Sequence, residues 1–146
     1  MTSVGNDETV ETATTVELRM AALAENVGLA RLALSGVAAV AGMPLEDVAD
    51  LKLAVSEACT NAVLHAYPGG GDSCEIVVRY TVGAGAVTVE VVDRGVGFDP
   101  DDVTISPARH ESESQMGLAI ARAVTDELEI DSGPAGTRVA FSKRRA

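Results

Sequence analysis

Residues 51–67 read LKLAVSEACTNAVLHAY, and they constrain the fold more than any other part of the chain. The stretch is apolar almost all the way round, which a helix tolerates only when most of its surface is covered. Yet Glu57, Asn61 and His65 recur at steps of four, a spacing that stacks them along one helix face. A buried carboxylate is costly unless something polar or charged shares its site. Ala54, Ala58 and Ala62 flank the stripe, so a ligand has room to approach. A carboxylate and an amide four apart, facing a cavity, can hold a hydrated Mg2+ and a hydroxyl nucleophile. An internal hydrogen-bond network, with His65 near an exposed helix end, accounts for the same three residues.

Bulk properties narrow the field. At 146 residues with 47% hydrophobic content, the chain is long enough to bury a core without disulfides or metals. Only 3% of residues are aromatic, so that core is aliphatic and alanine-rich. The net charge of −11 argues against a nucleic-acid partner, since phosphate neutralisation needs a basic surface. Cys59 and Cys74 lack metal-ligand spacing, and Cys59 reads as a small core residue. The N-terminus, MTSVGNDETVETATT, has no apolar signal-like segment. No apolar run reaches membrane-spanning length. These features lead us to expect a cytoplasmic protein with a disordered tail over 1–14 and one domain over 15–146.

Residues 15–21 alternate, with Val16, Leu18 and Met20 on one side and Glu17 and Arg19 on the other, as in a half-buried strand. Residues 25–41 read as a first helix, with Leu29, Leu32, Val37 and Val40 as packing positions. Gly42 suits its C-terminal cap and Pro44 the first turn of the next helix, where Glu46 and Asp47 complement the dipole. The glycine-rich segment 67–72 ends that second helix. Runs 76–82 and 86–92 form a hairpin around Gly83-Ala84-Gly85. Residues 99–114 are polar and aperiodic, and a loop of that length inside a domain is usually functional or mobile. Helical spacing resumes over 115–128, and 127–131 with 137–142 make a second hairpin. The order β-α-α-β-β-loop-α-β-β predicts an α+β fold. It is a two-layer sandwich with helices on one face of a mixed, mainly antiparallel sheet.

Four separated pieces look complementary. Glu57 and Asn61 lie on the central helix. Asp93 stands at a strand end before Gly95 and Gly97, where backbone can come close to a flat ligand and a carboxylate can accept from an exocyclic amine. Gly117 lies at the start of a helix whose amide end favours phosphate. Thr137, after Gly136, places a hydroxyl at the entrance of the last strand. Each piece alone also fits an ordinary turn or hairpin end; their joint order carries the argument.

Together these residues resemble the anti-sigma-factor serine kinases of the RsbW and SpoIIAB type, within the GHKL (Bergerat-fold) ATPases. SEACTNAVLHAY, residues 56–67, is similar to the family N box. Asp93-Arg94-Gly95-Val96-Gly97 matches the first glycine box, Met116-Gly117-Leu118 the second, and Gly136-Thr137 the third. The resemblance implies Mg2+ ligation by Asn61, general-base action by Glu57, and adenine recognition by Asp93 supported by Thr137. It also implies that His65, Gly95, Gly97, Met116, Gly117 and Leu118 border bound ATP or ADP, and that residues 99–114 form a lid over the nucleotide. Arg31 aligns with a family arginine used for partner contact; a solvated helix-surface charge is its plainer reading.

A homodimer is implied by the same resemblance. So is a stress-response partner switch in which the chain sequesters a sigma factor and phosphorylates a STAS-domain anti-anti-sigma factor. Neither nucleic acid nor membrane is an expected partner. The family glycine that opens the second glycine box is replaced here by Gln115. Arg109 and His110 are flanked by Glu111 and Glu113, and some members have a lid arginine at the position of Glu113. A nucleotide-binding anti-sigma switch without kinase activity is therefore the alternative. A lone histidine-kinase catalytic domain ranks below both, since the first helix has no histidine.

Overall fold

The computed structural model describes residues 14–69, 74–102 and 113–145. Most of the expected tail and residues 103–112, including Arg109, His110 and Glu111, lie outside the described residues. The chain runs β1 (Thr14–Ala21), α1 (Val27–Ala41), α2 (Leu45–Asn61), β2 (Glu75–Val82), β3 (Ala86–Asp93), α3 (Glu113–Val124), β4 (Glu127–Gly133) and β5 (Gly136–Arg144). The strands form one sheet in the order β1-β2-β3-β5-β4. Every described pairing is antiparallel, so the parallel element that "mixed" allowed for is absent among the described residues. The α+β sandwich itself is as expected.

Alternation in the strands divides the sheet into two faces. Ile76, Val78 and Tyr80 on β2, Val87, Val89 and Val91 on β3, and Val139 and Phe141 on β5 are buried beneath the helices. α2 is central, packing against α1 and α3 and across β3 and β5. It contributes Leu51, Ala54, Val55, Ala58 and Cys59 to the core. Burial in these apolar surroundings pushes the Cys59 thiol up to about 12, as befits an inert core residue. The Tyr80 hydroxyl, also buried, donates to the Ala30 carbonyl at 2.7 Å, which removes the cost of leaving it unpaired.

The opposite face carries one chain of ion pairs across the sheet. Arg19 meets Glu17 and Glu75; Arg79 bridges Glu17 and Glu90; Arg138 bridges Glu90 and Glu129. Opposite charges on adjoining strands stabilise the pairing modestly and keep this face wet.

Several expectations shift. α1 buries Ala30, Leu34, Val37, Ala38 and Ala41, whereas Leu29, Leu32 and Val40 are exposed. The helix packs through a seam of alanines with Leu34 and Val37, and Leu29, Leu32 and Val40 face out. Residues Ala24–Ala41 are long and apolar enough to cross a membrane by composition, contrary to the sequence estimate. Five of these residues are buried in the domain. Pro44 is the N-cap of α2, one residue before its expected place. α3 ends at Val124, and Leu128 pairs with Phe141 in the sheet. Gly42 does cap α1, at φ 68°.

Candidate active site

Asn61 is the last residue of α2 and only 6% exposed. Glu57, one turn earlier on the same side, is half-buried. The chain then widens into a π-helical turn over Ala62–Ala66. Such turns break the four-residue spacing and cluster at functional sites. Ala62 and Ala66 remain buried, and His65 is exposed. The expected stripe is thus interrupted after its second member.

Gly117 faces this pair from α3. A Cβ there would run into Glu57 Oε1, so only glycine lets α3 approach α2 without displacing the carboxylate. α3 begins at Glu113, which puts Gly117 a full turn inside the helix. Its structural role is therefore close packing, and the free amides belong to residues N-terminal to it. Leu118 is fully buried in the core. Met116 lies in the first part of α3, and its side chain, like that of Gln115, falls outside the described residues. Arg31 is exposed on α1, and its Nη1 donates to Ser56 Oγ at 2.7 Å. Ser56 in turn donates to the Lys52 carbonyl at 2.8 Å. The arginine is therefore tied to the residue beside Glu57.

Asp93 ends β3 and is 5% exposed. Its Oδ1 accepts the Gly95 N–H at 2.8 Å. Burial pushes the carboxyl above the usual range, and backbone donation from Gly95 and Thr137 opposes that without cancelling it. Strand register aligns Asp93 with Thr137 and Thr137 with Ser132, making a polar row at the sheet end. Thr137 is 5% exposed, and its hydroxyl lies 2.7 Å from that of Ser132.

The loop after Asp93 is pinned on several sides. Ser132 Oγ accepts the Phe98 N–H at 2.8 Å, and the Ala66 carbonyl accepts the Val96 N–H at 2.8 Å. A Cβ on Gly95 would collide with the Ala66 backbone, so the glycine lets the loop lie against the end of the π-turn. Gly97, at φ 78°, is likewise pressed on Gly133. The turn that follows Asn61 and the loop that follows Asp93 are in contact in this way.

Sequence reasoning passed over Ser132 and singled out Tyr67 only as the end of a motif. Ser132 was within reach: pairing Gly133 with Gly136 across Pro134-Ala135 gives a tight hairpin that sets Ser132 opposite Thr137. Grooves of about 650 and 450 Å3 flank Arg94. Asp93 lines both, Tyr67 the larger, and Ser132 and Thr137 the smaller, whereas Glu57 and Asn61 line neither.

The family model for the histidine kinase-like ATPase domain matches residues 20–143. The chain is 39% identical over 142 residues to the serine-protein kinase RsbW of Bacillus pumilus, covering 91% of this chain and 87% of that protein. Identity to RsbW of Bacillus subtilis is 38% over 136 residues, with 88% and 84% covered. This chain belongs to the histidine kinase-like ATPase family, among the RsbW-type serine-protein kinases. A crystal structure of the RsbU and RsbW domains of a Mycobacterium tuberculosis protein superposes with a TM-score of 0.69 at 28% identity. The match takes in 90% of this chain and 32% of that longer one.

Membership of the histidine kinase-like ATPase family implies that the domain binds ATP. No cluster of three or more His, Cys, Asp and Glu side chains occurs among the described residues, so an all-protein metal cage is not formed by them. A lone amide oxygen beside a carboxylate suits Mg2+, which takes hard oxygen donors and completes its shell with phosphates and waters. Glu57 and Asn61 offer donors of a kind that fits that ion.

Proposed function

We propose that this chain is a cytoplasmic anti-sigma factor and Mg-ATP-dependent protein kinase. In this reading it holds a sigma factor and phosphorylates a serine on a STAS-domain anti-anti-sigma factor. The observation that carries it is burial. Asn61, Asp93 and Thr137 are the polar side chains buried among the described residues, and each falls in a different sequence motif of the proposed nucleotide site. Buried polar groups are normally satisfied within the fold. Here two of them border a loop built from close-packed glycines, as a ligand-facing surface requires.

Asn61 supplies an amide oxygen to Mg2+, which neutralises charge on the phosphates. Asp93 accepts from the exocyclic amine of adenine, and Thr137, with its hydroxyl linked to Ser132, keeps that carboxylate in place. Gly95, Gly97, Met116 and Gly117 border the nucleotide, with Leu118 packed in the core behind them and His65 at the exposed edge of the site. Glu57 takes the proton from the attacking seryl hydroxyl, and the remaining catalysis is positioning and charge neutralisation. Arg31, exposed beside Ser56, meets the protein partner. A homodimer is part of this proposal, and the acidic surface leaves nucleic acid outside it.

The test is Glu57→Gln assayed with labelled ATP and the anti-anti-sigma substrate. Phosphoryl transfer should fall by about 10²–10⁴, with ATP affinity retained. Transfer at the parental rate would overturn the base assignment. If transfer is lost but sigma-factor regulation persists, the protein acts as a nucleotide-binding switch and the kinase step is dispensable.

A further inference from the structure

Tyr67 closes the π-turn that follows Asn61, and its hydroxyl makes two hydrogen bonds that join separate parts of the chain. It donates to the Glu75 carbonyl at 2.6 Å and accepts the Arg94 N–H at 2.8 Å. Arg94 is the residue immediately after Asp93. Three successive amides of this loop thus have three different acceptors. Arg94 N–H goes to Tyr67, Gly95 N–H to the Asp93 carboxylate, and Val96 N–H to the Ala66 carbonyl. Two of these acceptors, Ala66 and Tyr67, are adjacent residues at the end of the helix that bears Glu57 and Asn61. The third is the carboxylate proposed to read the base.

We infer that Tyr67 is a positioning residue for base recognition, its hydroxyl holding the loop so that the Asp93 carboxylate is fixed relative to Asn61. This rests on the reading of Asp93 as the adenine acceptor. The physical case is one of constraint. Gly95 and Gly97 have no side chains to restrict the loop, and a glycine-rich segment loses more conformational freedom on ordering than others. Without the Tyr67 hydroxyl, the Arg94 amide and the Glu75 carbonyl lose a shared partner at the point where the loop leaves β3. The Asp93 side chain is then aimed by Gly95 and Thr137 alone. Tyr67 touches neither the phosphates nor the proton-transfer step in this arrangement, so its contribution belongs to binding and selectivity.

The experiment compares Tyr67→Phe, Asp93→Asn and the double variant by titration with ATP and GTP. Tyr67→Phe keeps the ring. It should weaken ATP binding roughly five- to tenfold, narrow the ATP-over-GTP preference, and leave kcat at saturating ATP near the parental value. In the Asp93→Asn background the same substitution should have little further effect, because the carboxylate it aims is gone. The proposal is overturned if Tyr67→Phe retains parental affinity and selectivity. It is equally overturned if the two substitutions add independently, or if Tyr67→Phe fails to fold, since a hydroxyl that only positions a loop is not needed globally. The underlying reading fails separately: Asp93→Asn would then keep the ATP-over-GTP preference, whatever Tyr67→Phe does.

Discussion

Strand β3 holds two carboxylates three residues apart that meet opposite environments. Asp93 points under the helices, and Glu90 points to the open face of the sheet. Burial raises both. At Glu90 the guanidinium groups of Arg79 and Arg138 more than offset it, leaving the carboxyl below its ordinary value. At Asp93 the opposing donors are backbone amides of Gly95 and Thr137, and the carboxyl stays above its ordinary value. The fold supplies Glu90 with charged partners and gives Asp93 none among the described residues. A carboxylate held at a cost by the fold is a candidate for ligand binding, whereas a fully paired one is a structural element.

The largest effects that test this contrast are on stability. Ile76 is fully buried on β2, and Arg79 stands on the other face of the same strand. Ile76→Ala should cost about 2–5 kcal/mol from lost burial and the cavity left behind. Arg79→Ala should cost under about 1 kcal/mol, since exposed ion pairs contribute little, and less again in high salt. Urea unfolding of both variants checks this. Equal losses would mean that the open face is covered in solution, as a second copy of the chain could do.

Asp93→Asn and Glu90→Gln then separate the carboxylates by function. Loss of a charge-assisted hydrogen bond to the base should weaken ATP binding by about 10–100-fold in Asp93→Asn. Glu90→Gln should leave ATP affinity unchanged, because its partners lie wholly on the open face. Calorimetric titration measures both. An ATP defect in Glu90→Gln would show that the two faces are coupled through β3.

Why sequence placed some of these residues and missed others follows from their physics. The alternation on β2 and β3 is unambiguous, so the buried faces and the position of Asp93 at a strand end were legible. So were Glu57 and Asn61, since polar residues at helical spacing stand out in an apolar stretch. α1 is apolar over most of its surface, and hydropathy does not mark which side packs; the seam runs through Ala30, Leu34, Val37, Ala38 and Ala41, so only Val37 of the expected packing positions lies on it. The π-turn that leaves His65 exposed changes hydrogen bonding without changing the pattern of apolar residues. Gly117 was expected at the start of a phosphate-facing helix, but the start of α3 at Glu113 gives it a packing role against Glu57. Tyr67 acts through a hydroxyl bonded to backbone 27 residues away, a contact that no local pattern encodes.

The smallest effect is a pH dependence with opposite signs on the two faces. Glu90 has a depressed carboxyl, so its contribution to stability is present above about pH 4.3. That contribution is lost as pH falls through its folded value. Asp93 has a raised carboxyl and does the reverse. Its contribution is present below about pH 3.9 and is lost as pH rises through the raised folded value. Replacing Asp93 by Asn removes this loss, so the nucleotide-free variant should be more stable than the parent at pH 7. The advantage should shrink toward zero as pH falls below about 4, where the parent carboxyl is protonated and neutral. Chemical denaturation of both proteins at pH 7 and at pH 4 measures the difference. A constant gap across that range would assign the effect to packing. A gap that widens in acid would mean that Asp93 is stabilised as the anion, with its backbone donors or a facing cation outweighing burial.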